Sequence, residues 1–121
     1  MAFRVFLVDD DALIRKALGH LVTGLGHTVE EFSSPHAVLT RLDEPPDLLV
    51  CDYHMPGLDG LELAAAVKKT APSAKTVLLS GSAEDERIVN AIEERVVDCY
   101  LAKPWQYDDL VRVVGDLLHE R

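Results

Sequence analysis

The chain has 121 residues, with 12 Lys and Arg against 21 Asp and Glu, a formal net charge of −9. That length favours one domain, residues 1–121, near the size at which a single hydrophobic core is comfortable, and it leaves no room for a second, DNA-binding domain. A composition of 48% hydrophobic and 27% charged residues is that of a soluble globular protein, and the acidity argues against neutralising the phosphates of nucleic acid or an anionic membrane.

In chain order, a compact run from Phe3 to Val8 is rich in β-formers and stops at Asp9-Asp10-Asp11. It is too short for a secretory h-region, and no later stretch approaches the roughly 18–20 apolar residues of a membrane span, so the expected location is the cytoplasm. From Leu13 the apolar positions Leu13, Ile14, Ala17, Leu18, Leu21, Val22 and Leu25 follow helical spacing until the Gly24–Gly26 region. Asp11 before it reads as a cap or a solvated residue. Thr28 to Phe32 is a weaker strand, and Ser34-Pro35 opens a short helix to about Leu42, closed by Pro45-Pro46. Asp47 to Cys51 is a third strand, apolar at four consecutive positions and ended by Asp52. After a loop with Pro56, Gly57 and Gly60 comes an Ala-rich helix from about Leu61 to Lys69, closed by Pro72. Thr76 to Leu79 is the fourth strand, running into Ser80-Gly81-Ser82. Ser82 with Asp85 has the spacing of a capping box for a helix whose stripe is Ile88, Ala91 and Ile92. Val96 to Leu101 is the fifth strand, ended by Lys103-Pro104, and the last helix buries Leu110, Val111, Val114, Leu117 and Leu118. Cys51 and Cys99 sit inside apolar runs and read as small buried hydrophobes, not as a disulfide or metal pair.

Strands alternating with helices predict an α/β fold: a parallel sheet covered on both faces, with right-handed crossovers. In such a sheet ligands bind beyond the carboxyl ends of the strands. Asp9 and Asp10 follow the first strand, Asp52 the third, Ser80 the fourth and Lys103 the fifth, so these residues are expected on one rim. Carboxylates clustered there repel by about 4 kcal/mol per pair at 4 Å and an effective dielectric near 20. Lys103 offsets part of that, and a hard divalent cation such as magnesium, which prefers oxygen ligands, would offset more.

Four motifs in this order, Leu7-Val8-Asp9-Asp10, Asp52-Tyr53-His54-Met55-Pro56-Gly57-Leu58-Asp59-Gly60, Leu79-Ser80-Gly81 and Lys103-Pro104, resemble the receiver domain of a two-component response regulator of the chemotaxis-regulator type. The resemblance covers essentially the whole chain. It implies a flavodoxin-like, doubly wound five-stranded parallel sheet of order 2-1-3-4-5 with five helices. Asp52 would then be the phosphoryl acceptor, while Asp9, Asp10, Asp52 and the backbone carbonyl of His54 would hold Mg2+. Ser80 and Lys103 would bond phosphoryl oxygens, with Lys103-Pro104 expected to be cis. Tyr100 matches the aromatic that changes rotamer on activation, or is simply a half-buried strand residue. The side chain of His54 is either an exposed loop residue or one that reaches the phosphoryl pocket, and Ser82 reads first as a helix cap. Trp105 stands where many receivers have Phe. The resulting Lys-Pro-Trp variant resembles receivers attached to hydrogenase-type transcription regulators or cyclic-dinucleotide phosphodiesterases. Ala91 to Asp98 lacks the usual Gly-Ala turn before the fifth strand, so the end of the fourth helix is expected to be longer or differently placed.

The function so implied is a phosphorylation-dependent switch. It takes its phosphoryl group from the phosphohistidine of a sensor kinase or phosphotransfer protein, and catalyses only its own transfer and hydrolysis. It changes affinity for an effector, or for a fused output domain outside this chain, through the helix 4–strand 5–helix 5 face, with phosphorylation-dependent dimerisation left open. The alternatives are a phosphorylation-independent scaffold, and a small magnesium-dependent phosphohydrolase. The hydrolase reading lacks an Asp-x-Asp pair after the first strand.

Overall fold

The computed structural model describes residues 2–81, 86–103 and 105–119. Five strands alternate with five helices: β1 (Arg4–Val8), α1 (Ala12–Gly24), β2 (Thr28–Phe32), α2 (Pro35–Leu39), β3 (Leu48–Asp52), α3 (Gly60–Thr70), β4 (Lys75–Ser80), α4 (Glu86–Glu93), β5 (Cys99–Ala102) and α5 (Tyr107–His119). The strands form one sheet of order β2-β1-β3-β4-β5 with every pairing parallel. The alternation predicted the covered parallel sheet, and the strand order is the doubly wound, flavodoxin-like one that the resemblance implied.

The pleat divides the apolar residues of the strands between two cores. Phe6, Val8, Leu49, Cys51 and Leu78 face one side, where Leu63 and Val67 of α3 and Ile88 of α4 cover them. Val5, Leu7, Leu48, Val50, Val77 and Leu79 face the other, beneath Leu18 and Val22 of α1 and Leu110 and Val114 of α5. All five residues of β3 are buried, which explains its unbroken apolar run. Each buried Leu or Val is worth about 1.5–3 kcal/mol relative to exposure, so both faces hold the sheet.

Caps set several element ends. Asp11 caps α1, its carboxylate accepting from the amides of Leu13 and Ile14, so of its two sequence readings the cap is the one observed. Ser34 caps α2 with Pro35 in the first turn. Asp59 and Glu62 form a reciprocal capping box at α3. The capping pair Ser82 and Asp85, and the Lys103-Pro104 bond, lie outside the described residues.

Two boundaries differ from expectation by more than one residue. The second helix stops at Leu39, not near Leu42, because the Thr40 hydroxyl and amide both turn back to the Ala37 carbonyl. The fifth strand begins at Cys99, not Val96. The amide of Val96 bonds the Ala91 carbonyl and that of Arg95 bonds the Ile92 carbonyl, with Arg95 at φ 61°. This is a Schellman stop, with arginine in the left-handed position that glycine normally takes. The missing Gly-Ala turn therefore does not lengthen α4; Val96 and Val97 are used to close it, and Val97 is still fully buried.

Candidate functional site

Strand ends deliver the charged groups. Asp9 directly follows β1, and its amide donates to the Phe32 carbonyl at 3.2 Å, tying it to the end of β2. Asp52 closes β3 in register with Leu79 of β4, and the Tyr53 amide bonds the Leu79 carbonyl at 2.9 Å. Lys103 follows β5, with its amide held at 2.8 Å by the carbonyl of Ser80.

Carboxylate oxygens of Asp9, Asp10 and Asp52 lie within 4.8 Å of one another. Asp9 and Asp52 are buried while Asp10 is exposed. The Lys103 Nζ stands 3.1 Å from Asp52 Oδ1 and 3.9 Å from Asp9 Oδ2. Burial, the neighbouring Asp52 charge and, more weakly, Asp10 push the Asp9 carboxyl above its ordinary range. The Asp11 amide, which donates to Asp9 Oδ1 at 2.8 Å, and Lys103 pull it back in part.

These residues fit a hard cation on one observation in particular. Asp9 Oδ2 is buried and has no hydrogen-bond partner among the described residues. A buried carboxylate oxygen without a hydrogen bond is costly unless positive charge meets it, and Lys103 Nζ, 3.9 Å away and closer to Asp52, meets it only in part. Three carboxylates of oxygen-only chemistry match the donors that magnesium takes, with waters completing its shell.

The remaining site residues separate. Ser80 is fully buried at the end of β4. His54 is exposed, its ring stacked on Tyr53 with centroids 4.6 Å apart. Tyr100, opposite Leu78 in the sheet, packs against the core under α3 and α4. Trp105 lies across the sheet from Tyr100. Its ring packs against the α1 and α5 core and lines a groove with Ala17, His20, Leu21, Gly24 and Tyr107. Both cysteines are free. Cys51 is fully enclosed, and burial pushes its thiol far up, out of the range of a nucleophile.

Sequence reasoning missed Arg15 with its partner Glu31, and Arg87, around the site. Arg15 of α1 donates to the Asp9 carbonyl at 2.7 Å and pairs with Glu31 of β2 at 3.3 Å. Arg87 of α4 bonds Asp59 at 2.8 Å and lies over the Tyr53 ring, 5.7 Å from its centroid. A basic residue one turn into a helix that follows acidic residues was the available signal for Arg15. Nothing in the spacing announces its partner on another strand. Gly60, present in the quoted motif, proves a packing requirement: a Cβ there would sit 2.5 Å from the Asp52 carbonyl oxygen and 2.7 Å from Leu78 Cδ1.

A parallel, doubly wound sheet with a carboxylate cluster and Lys103 at its carboxyl rim defines the class of small α/β domains whose ligand sites lie at the carboxyl ends of the strands. Within that class, the family model described as "Response regulator receiver domain" matches residues 5–115, and the chain belongs to this family. It is 34% identical over 111 residues to the DNA-binding transcriptional regulator NtrC of Salmonella typhimurium, an alignment covering 91% of this chain and 24% of that protein. The C4-dicarboxylate transport transcriptional regulatory protein DctD of Rhizobium meliloti is 34% identical over 109 residues, 89% of this chain and 24% of that protein. The chain thus spans about a quarter of the length of these relatives. Among solved structures, the receiver domain of an HD domain-containing protein from Pseudomonas fluorescens Pf-5 superposes with a TM-score of 0.90 at 28% identity, covering 99% of this chain and 97% of that one. Receiver domains are signalling switches, and these relatives are regulators. Among the described residues no helix is long and apolar enough to cross a membrane.

Proposed function

We propose that this receiver domain, residues 1–121, is a phosphoacceptor switch in which Asp52 takes a phosphoryl group from a phosphohistidine of a sensor kinase or phosphotransfer protein. The supporting observation is the Asp52 carboxylate, buried at the end of β3 with Lys103 Nζ at 3.1 Å, in one cluster with Asp9 Oδ2, a buried oxygen that accepts no hydrogen bond from the described residues. A carboxylate oxygen of Asp52 attacks phosphorus, the P–N bond breaks, and the imidazole nitrogen leaves with the electron pair. A carboxylate attacks an anionic phosphoryl group poorly unless its charge is balanced and its position fixed. Lys103 balances charge beside Asp52, and the paired ends of β3 and β4 fix the position. Asp9, Asp10, Asp52 and the His54 carbonyl would hold Mg2+, which when bound supplies the positive charge that draws phosphoryl oxygens into the site.

Ser80 is read as the hydroxyl that bonds a phosphoryl oxygen, with Tyr100 as the aromatic that answers its movement. The output is a change in affinity at the α4–β5–α5 face, toward an effector or a fused output domain, in the cytoplasm. Hydrolysis of the Asp52 acyl phosphate by this same site would reset the switch.

Acetyl phosphate or beryllofluoride with Mg2+ tests the reading by intact mass and Trp105 fluorescence. A magnesium-dependent adduct that is lost in Asp52→Asn is the expected result. No adduct under any condition favours a scaffold, and multiple turnover of an unrelated phosphoester favours a hydrolase.

A further inference from the structure

We infer that Arg15 and Glu31 form a brace, outside the acidic cluster, that positions the Asp9 ligand for the cation; this rests on the site reading above. The Arg15 guanidinium is bonded at two ends. Its Nη1 donates at 2.7 Å to the main-chain carbonyl of Asp9, and its Nε lies 3.3 Å from Glu31 Oε1. The Arg15 side chain is only 15% exposed, so these contacts are shielded from solvent screening.

The bond to the carbonyl, not the carboxylate, is the informative detail. Arg15 does not neutralise the metal-binding oxygens and so does not compete for them; it holds the peptide from which they project. Its own charge is met by Glu31. Three further contacts fix the same short segment: the Asp9 amide on the Phe32 carbonyl, the Asp11 amide on Asp9 Oδ1, and the Arg15 amide on the Asp11 carbonyl. Asp9 is therefore tied to β2 twice, once directly through Phe32 and once through Arg15 and Glu31.

Gly19 makes room for this arrangement. A Cβ at Gly19 would stand 3.1 Å from Glu31 Oε2 and 3.6 Å from Glu31 Cδ, so the Glu31 carboxylate lies across α1 where any larger residue would push it. Glycine inside a helix costs about 0.8–1 kcal/mol relative to alanine. At Gly19 that cost coincides with a position on α1 over which the Glu31 carboxylate passes. A planar fork with two separated donors is also what lysine lacks.

The test is Mg2+ binding to the whole chain, measured by calorimetry at a temperature where every variant is folded. Amide exchange at Asp11 in metal-free protein serves as a second readout. Arg15→Ala is expected to weaken Mg2+ binding about tenfold, the scale on which residues that orient metal ligands act, and to speed Asp11 exchange. Arg15→Lys should not restore either. Gly19→Ala removes no contact and improves helix propensity, so it should hold or raise Tm while weakening Mg2+ about two- to threefold, less than the loss of an orienting residue, because the Glu31 carboxylate is only displaced. A purely structural role for Arg15 would lower Tm in Arg15→Ala and leave Mg2+ affinity unchanged, which overturns the brace. Wild type with no saturable Mg2+ binding overturns the site reading itself, and the brace with it.

Discussion

Asp9 is expected to lower the stability of the metal-free protein, and Asp9→Asn is the perturbation that shows it. In the cluster, repulsion between Asp9 and Asp52 at 4.8 Å or less is at least about 3.5 kcal/mol at an effective dielectric near 20. Attraction to Lys103 Nζ at 3.9 Å is about 4.3 kcal/mol on the same scale, so the two nearly cancel. Burial of the carboxylate and the additional repulsion from Asp10 then decide the balance. They agree with the upward direction of the Asp9 pKa. Asparagine keeps the acceptor for the Asp11 amide and removes the charge, so a gain of about 1–2 kcal/mol is expected, the range of single stabilising substitutions. For a chain of this size that is a Tm rise of about 4–8 °C.

The assay is urea denaturation in EDTA against excess Mg2+, across pH. Burial, with the neighbouring Asp52 charge, holds the folded-state pKa of Asp9 above the ordinary aspartate value. On acidification the folded protein therefore takes up the proton before the unfolded chain does, and wild type gains stability through that window. The gap to Asp9→Asn is full above the raised pKa and narrows as pH falls toward the ordinary one. Mg2+ reverses the order, since ligand at a hundredfold excess over Kd adds about 2.7 kcal/mol to wild type alone. A variant no more stable than wild type in EDTA at pH 7.5, or a gap that widens on acidification, would refute the reasoning.

Arg95→Gly should stabilise the fold by about 0.5–1 kcal/mol, because the left-handed C′ position of α4 strains any residue with a Cβ; a higher urea midpoint at unchanged m-value checks it. Gly60→Ala should cost about 1–3 kcal/mol as an overpacking substitution, since its Cβ meets the Asp52 carbonyl and Leu78, and it should slow acetyl phosphate labelling of Asp52. Cys51 should resist iodoacetamide in native protein and react once urea unfolds it, because burial both shields the thiol and opposes thiolate formation. Labelling of Cys51 as fast as that of half-buried Cys99 would contradict the packing.

What could be read from the sequence was local. Unbroken apolar runs such as Leu48 to Cys51 mark strands covered on both faces, and polar residues at their ends, Asp9, Asp10, Asp52 and Lys103, mark the rim where they meet. Val96 and Val97 were misread because hydrophobic β-formers look the same whether they pair in a sheet or close a helix. Only the Arg95 conformation separates the two uses. Trp105 follows Lys103 by two positions at the exit of β5, and only the fold shows that its ring packs on the α1 and α5 core, across the sheet from Tyr100. Arg15 and Glu31 meet across sixteen positions, a contact that depends on the β1–β2 register and the bare surface of Gly19.

The pleat gives the site a further order. Along β1 the residues Val5 and Leu7 belong to the α1–α5 core, and Asp9 continues their alternation; along β3 Leu48 and Val50 do the same for Asp52, and along β5 Cys99 and Leu101 do so for Lys103. Ser80 instead continues the alternation of Leu78, whose core also holds Tyr100 and Ile88 of α4. The charges thus share the face that Arg15 of α1 braces, while the hydroxyl and the aromatic share the face of α4. On the proposed reading, a phosphoryl group on Asp52 has its charge balanced from one side of the sheet and is sensed from the other. Ser80 is the group that crosses between them: its carbonyl anchors the Lys103 amide, and its side chain is buried toward the α4 face. Ser80→Ala should therefore leave Mg2+ binding and the Arg15 brace intact while uncoupling Tyr100 from the state of Asp52.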